Sequence, residues 1–129
     1  AGYQGPLLAS LYQRVEERLE AVPGVGGVTA MRLGLITGWT SNGSVSVPGM
    51  KLNPQQAQSN FNYVGPAFLA TTGIGLKLGR DFTAADVAGV RPVGIVNQAL
   101  ARQLFGEASP LGRTVTHDGV GYAPGGSDP

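Results

Sequence analysis

Apolar side chains return every three or four positions along residues 7–22, at Leu8, Leu11, Val15, Leu19 and Val22, with Gln13, Arg14, Glu16, Glu17 and Glu20 between them. That spacing follows the 3.6-residue turn of an α-helix with a single apolar stripe and predicts a helix over 7–22. Pro6 suits its first turn, where no backbone donor is needed, and Pro23-Gly24 ends it. The period then changes. Val28 to Leu33 alternates and carries β-branched residues after a Gly-rich turn, which predicts a strand. From Gly38 to Gln58 the chain turns to Gly, Ser, Asn, Thr, Pro and Gln, interrupted only by Ser44-Val45-Ser46-Val47, a short half-exposed strand pattern. A long loop or small β lobe outside the core is expected there.

Between Phe61 and Val115, glycines, prolines and helix caps fall between apolar segments. Asn60 to Val64 alternates up to Gly65-Pro66, a strand feeding a short helix over 66–72 that opens on proline. Gly73 fits the left-handed position that closes a helix and lets Ile74 turn back toward the core. Leu76 and Leu78 alternate with Lys77 into Gly79, and Phe82 anchors the next turn. Thr83-Ala84-Ala85-Asp86 forms a capping box with Asp in place of Glu. Pro92 to Val96 reads as a short buried strand, after which Asn97 caps a helix through Phe105 that Gly106 terminates. Ser109-Pro110-Leu111-Gly112 turns into an alternating strand over Arg113 to His117. The Gly, Pro and Ser content of 118–129 predicts a flexible tail. The whole is an α+β pattern: a mixed βα core with a smaller outlying β/loop lobe, occupying residues 1–117.

Composition narrows the function. At 129 residues the chain has the size of one domain. Charged residues make up 13%, about half the usual share, and the 21 glycines are about twice the usual proportion, so the chain is turn-rich and weakly charged. A formal net charge of +1 supplies no field to recruit nucleic acid, and no cluster of Lys or Arg tracks phosphates. The absence of cysteine rules out disulfides and thiolate metal sites. Residues 52–76 carry no charge but include Asn53, Pro54, Gln55, Gln56, Gln58, Asn60 and Asn62, which lipid would not accept. The first six residues have neither the basic start nor the apolar stretch of a signal peptide, so a cytosolic chain or an excised piece of a larger one is expected.

The residues that usually carry chemistry are scarce. His117 is the only histidine, which removes two-histidine zinc motifs and leaves any triad with one base; it reads as a surface residue of its strand. Ser41, Ser44 and Ser46 sit where serine serves turns, and there is no GxSxG elbow. Gly73-Ile74-Gly75-Leu76-Lys77-Leu78-Gly79 has the wrong spacing for a dinucleotide loop, and no phosphate loop occurs. Asp81 and Asp86 are better explained as backbone caps than as an acid-base or Mg²⁺ pair, since Arg80 lies beside them. No catalytic, metal or cofactor-binding residue is expected. Trp39, in a polar loop, and Tyr63 are the candidate contacts for a partner.

The order Phe61, Val64, Pro66, Phe68, Thr72-Gly73-Ile74, Leu76, Leu78-Gly79-Arg80-Asp81-Phe82-Thr83, Asp86, Pro92-Val93, Ile95-Val96-Asn97, Leu100-Ala101, Leu104-Phe105-Gly106, Pro110-Leu111-Gly112-Arg113 resembles the MacB-like periplasmic core domain. It looks closest to the branch with duplicated permease units of unknown substrate. Ala21-Val22-Pro23-Gly24-Val25 is similar to the segment that follows that family's first membrane helix. The resemblance implies an excised domain between the first two transmembrane helices of a bacterial ABC transporter permease, on the periplasmic side of the inner membrane. It implies no reaction and no cofactor: a cytoplasmic ATPase hydrolyses nucleotide, and the domain couples that motion to a periplasmic adaptor or substrate. Gly73, Gly79, Arg80, Phe82, Asp86, Phe105, Pro110 and Gly112 then serve structure. Family members continue past the Arg113 strand into a strand of the Val-Val-Gly-Val type, from which 118–129 departs. The alternative is a small-ligand or peptide-binding module that uses the nearly uncharged surface from Leu33 to Leu76, with Trp39 and Tyr63 as stacking groups.

Overall fold

Helix α1, Pro6–Glu20, forms where the apolar period predicts it, in a computed structural model that describes residues 5–88, 91–117 and 120–124. Pro6 stands at its start, and Arg18 in its last turn complements the partial negative charge of the free carbonyls there. No residue of α1 is buried, and Leu8, Val15, Leu19 and the following Val22 all face solvent.

The other elements follow in chain order as β1 (Ser41–Ser46), β2 (Gln58–Phe61), α2 (Phe68–Thr72), α3 (Ala84–Ala88), β3 (Val93–Gly94), α4 (Gln98–Phe105), β4 (Val115–His117) and β5 (Val120–Pro124). The strands form one sheet in the order β2-β1-β4-β5-β3, antiparallel except for the parallel pair β3 and β5. This is the α+β class expected from the sequence. Within it, the 38–58 region is not an outlying lobe: β1 lies between β2 and β4, with Val45 opposite His117. Val45, 2% exposed, and Val47 join Leu104, Phe105 and Val115 in the core. A strand needs only every second residue apolar to bury one face, so Ser44 and Ser46 can point outward from an interior strand.

Two further segments differ from expectation. Residues 28–33 form no strand; they meet the chain at Val64 through a single bridge from Met31, with Arg32 N donating to Tyr63 O at 2.8 Å and Gly65 N to Ala30 O at 2.7 Å. Gly65 allows that approach, because a Cβ there would stand 3.2 Å from Ala30 N. Val120–Pro124, assigned by composition to the tail, pair as β5 with β4 and β3; Asp118, Gly119 and 125–129 lie outside the described residues. The 92–96 run pairs only at Val93 and Gly94, half-buried at the edge of the sheet.

The short helices are set by their ends. α2 begins two residues after Pro66, because Ala67 takes a left-handed conformation (φ 55°) and donates its N–H to Phe82 O at 2.9 Å. Gly73 closes α2 at φ 74°, and Ile74 N reaches back to Leu69 O at 3.1 Å. A Cβ at Gly73 would meet nothing within 4 Å, so the barrier to substitution is conformational alone. Gly73→Val is therefore expected to destabilise the domain by about 1 kcal/mol, read as a lowered thermal midpoint. An unchanged midpoint would show that the left-handed turn does not set the end of α2. α4 starts on Asn97, whose Oδ1 accepts from Leu100 N at 2.8 Å, and it carries Leu104 and Phe105 into the core.

Candidate functional site

Trp39 belongs to a small closed loop. Leu33 N donates to Asn62 Oδ1 at 3.1 Å and Asn62 Nδ2 donates to Leu33 O at 2.9 Å, while Ser41 pairs across from Phe61 in the β1–β2 ladder. Both feet of the 34–40 loop thus rest on consecutive residues, Phe61 at the end of β2 and Asn62 just beyond it. Inside the loop, Thr37 N and Thr37 Oγ1 both donate to Gly34 O, at 3.4 and 3.0 Å, and Gly38 turns at φ 71°. The apolar side chains face outward: Leu35 is 60% exposed, Ile36 98% and Trp39 78%. No charged residue occurs between Arg32 and Lys51. Tyr63, half-exposed, is covered by the Arg32 guanidinium 5.7 Å from its ring centre. Asn62→Ala is expected to free the first foot, lowering the fluorescence anisotropy of Trp39 with little change in melting; unaltered anisotropy would show that the clamp does not hold the loop.

A second cluster links α2 and α3. Arg80 Nη1 and Nη2 donate to Asp86 Oδ2 and Oδ1 at 2.7 and 2.8 Å, a two-point ion pair, and Thr83 N donates to Asp86 Oδ2 at 2.8 Å. The Arg80 guanidinium lowers the Asp86 carboxyl to about 2 against the opposing effect of burial, helped by the Thr83 N–H. Half of the expected capping box is present: the carboxylate reaches back to Thr83 N, while the Thr83 hydroxyl donates to Asp86. Asp81 accepts from Ala70 N at 3.0 Å and Phe82 N at 2.8 Å. Burial raises its carboxyl, but the N–H groups of Ala70, Leu69 and Phe82 together hold it below its ordinary value. Asp81 supplies the start of α2 with the acceptor that Ala67 lacks. Both carboxylates are ionised and engaged in holding the 80–86 turn. Among the described residues no group of three or more His, Asp or Glu is placed to hold a metal ion.

The remaining residues singled out by sequence divide between the core and exposed turns. Phe105 is buried under the Arg113 guanidinium, 5.1 Å from its ring centre. Gly79 and Gly112 have φ 84° and 74°, and Arg113 N closes the turn on Pro110 O at 3.2 Å. Phe82 is half-buried. His117 departs from the expected surface position: it is 7% exposed, stacked on Phe61 at 3.3 Å between ring centres, with Nδ1 3.3 Å from Ser44 O. Its burial was legible in the period of the strand, since Val115 and His117 are two apart and share a face. A cavity of about 1090 Å³ opens between the β2–α2 segment and β3–α4, lined by Phe68, Phe82, Ile95 and Leu100 with Arg80 and His117. It takes in Tyr63 and not Trp39, so the two candidate contacts do not share it. The Asn62 clamp and the Asp81 cap were missed, because each joins residues far apart in sequence that no local pattern connects.

The family described as MacB-like periplasmic core domain matches residues 2–124. The chain belongs to this family. Among curated relatives, the Bacillus subtilis (strain 168) ABC transporter permease YknZ is 28% identical over 69 residues, 54% of this chain and 17% of the relative. The crystal structure of the periplasmic region of MacB from Actinobacillus actinomycetemcomitans superposes with a TM-score of 0.64 at 21% identity, over 88% of this chain and 48% of that one. The fold is thus shared with that periplasmic region, and the chain spans about half its length. The family match extends through β5, into but not beyond the first part of the segment whose wording departs from the family pattern. Among the described residues no helix is long and apolar enough to cross a membrane.

Proposed function

We propose that the chain is the noncatalytic extracytoplasmic domain of an ABC transporter permease, on the periplasmic side of the bacterial inner membrane, and that it couples transporter motion to contact with a partner or substrate. Nucleotide is hydrolysed by a cytoplasmic ATPase subunit or domain, joined to this chain through the rest of a membrane-tethered permease. The observation that carries the coupling role is α1. It buries none of its residues in the body, yet its hydrogen bonding runs on into the turn: Ala21 N to Glu17 O, Val22 N to Leu19 O and Val25 N to Val22 O, at 3.1 to 3.2 Å. The chain then runs past Thr71, where a Cβ at Gly27 would stand 3.1 Å from the hydroxyl, to Ala30 O, which accepts from Gly65 N. A helix end held in this way transmits displacement, where a slack linker would absorb it. The engagement of Asp81, Asp86 and His117 in shape supports the absence of a reaction of its own.

The test uses the full-length permease with its ATPase. Four residues of Gly-Ser inserted between Pro23 and Gly24 are expected to abolish most transport while leaving basal ATP hydrolysis in place. Undiminished transport would end the coupling proposal. The alternative, a small-ligand or peptide-binding module, has the cavity of about 1090 Å³ in its favour, since ligand sites of this size are mostly apolar with a few polar groups. Displacement of a cavity-bound apolar dye by candidate solutes would support it, and failure of every solute to displace the dye would count against it.

A further inference from the structure

We propose that the loop 34–40 is a membrane-insertion tip, whose Leu35, Ile36 and Trp39 enter the interfacial layer of a lipid bilayer; the proposal rests on the permease reading, which holds the chain near a membrane. Side chains that a water-exposed loop has no reason to carry are displayed here on a loop with fixed feet, so insertion has little backbone freedom left to lose. Ile36 is 98% exposed and Trp39 78%, so none of the described residues covers them. The stretch from Leu33 to Met50 is uncharged, so no ion has to be desolvated. Trp prefers the headgroup level and aliphatic side chains the layer beneath it, which matches a tip made of one indole and two aliphatic residues.

A protein socket is favoured less. Protein interfaces surround an apolar anchor with a polar rim that sets orientation through hydrogen bonds. In this tip the Thr37 hydroxyl is spent inward on Gly34 O and Gly34 and Gly38 offer no side chain, which leaves the Thr40 hydroxyl at the foot and the Trp39 N–H as the polar side-chain groups beside the three apolar ones. Lipid asks for no such direction. Three side chains make a weak anchor by themselves, as single short anchors generally do, and tethering through the permease raises the effective concentration enough for a weak anchor to act.

Trp39 is the only tryptophan, so its emission reports on this loop and not on the exposed stripe of α1. The 129-residue chain is titrated, up to lipid concentrations on the order of millimolar at which a weak untethered anchor still partitions, with vesicles of phosphatidylcholine alone, of phosphatidylcholine with phosphatidylglycerol, and of phosphatidylcholine brominated on its acyl chains. A blue shift with phosphatidylcholine alone, quenching by the brominated lipid, and a loss of at least about tenfold in partitioning for Leu35→Ser/Ile36→Ser are expected. Far-UV circular dichroism checks that the variant folds; if it does not, Ile36→Ser alone gives the same comparison. Unchanged emission with phosphatidylcholine overturns the proposal and leaves the tip to a protein socket. A shift confined to anionic vesicles overturns it in favour of electrostatic adsorption, and a shift undiminished in the serine variants overturns it in favour of another surface. None of these results bears on the Gly-Ser insertion in the full-length permease, which judges the coupling reading by itself.

Discussion

Leu104→Ala is expected to destabilise the chain by about 3 to 4 kcal/mol, a large part of what a domain of this size possesses. Leu104 is 1% exposed and, with Val45, is one of the largest fully buried side chains among the described residues. It packs with Val45, Val47, Phe105 and Val115, and partly buried Leu52, Phe61 and Leu100 surround them. A core this small has few neighbours that can move in to fill a hole, so the cost stays clear of the lower end of the usual range for Leu to Ala. Urea unfolding followed by far-UV circular dichroism is the measurement, because Trp39 faces solvent in the folded state and reports unfolding poorly. Leu19→Ala in α1 is the control: Leu19 is exposed, and its replacement is expected to shift the midpoint little. Equal effects at both positions would mean that the core is not centred on α4 and β1.

Sequence pattern was most reliable where one element could be read alone. The apolar period of α1, the Asn97 cap of α4 and the left-handed Gly73 are local facts, each settled by residues within one or two turns of one another. Pairing was harder to read. The 38–58 region was placed outside the core because Gly, Ser and Asn dominate its composition, but Val45 and Val47 alternate with serines and need only a partner strand to become core. That partner is β4, some 70 residues on, and nothing local to either strand announces it. A shorter separation, the 29 residues between Leu33 and Asn62, hid the loop that carries Trp39. Its sequence reads as polar and mobile, whereas Asn62, beyond the whole of β1, fixes its first foot and exposes Leu35 and Ile36 as well. Trp39 was singled out for its residue type; the geometry that makes it a contact came from the fold.

Arg80→Met should lower stability by about 2 kcal/mol at neutral pH, and most of that difference should disappear in acid. Asp86 is the reason. Its carboxyl is lowered from an ordinary 3.8 to about 2, mainly by hydrogen bonds from Arg80, so the folded state favours the ionised form more than the unfolded state does. A lowered folded value means that the pair's contribution is fully present above about 3.8 and is lost as pH falls from there through about 2. The Asp86 side chain is 12% exposed but that of Arg80 is 40% exposed, so solvent screens the pair; roughly 1 to 1.5 kcal/mol of the effect is assigned to this titration. The rest comes from the Arg80 bond to Asp81 O and from its place in the cavity wall, and does not titrate in that window. Urea unfolding of both proteins from pH 7 to pH 2 measures the difference directly. A gap between parent and variant that stays constant across that range would show that the ion pair contributes no net stability, and that the Arg80 side chain matters only for its packing and its bond to the backbone.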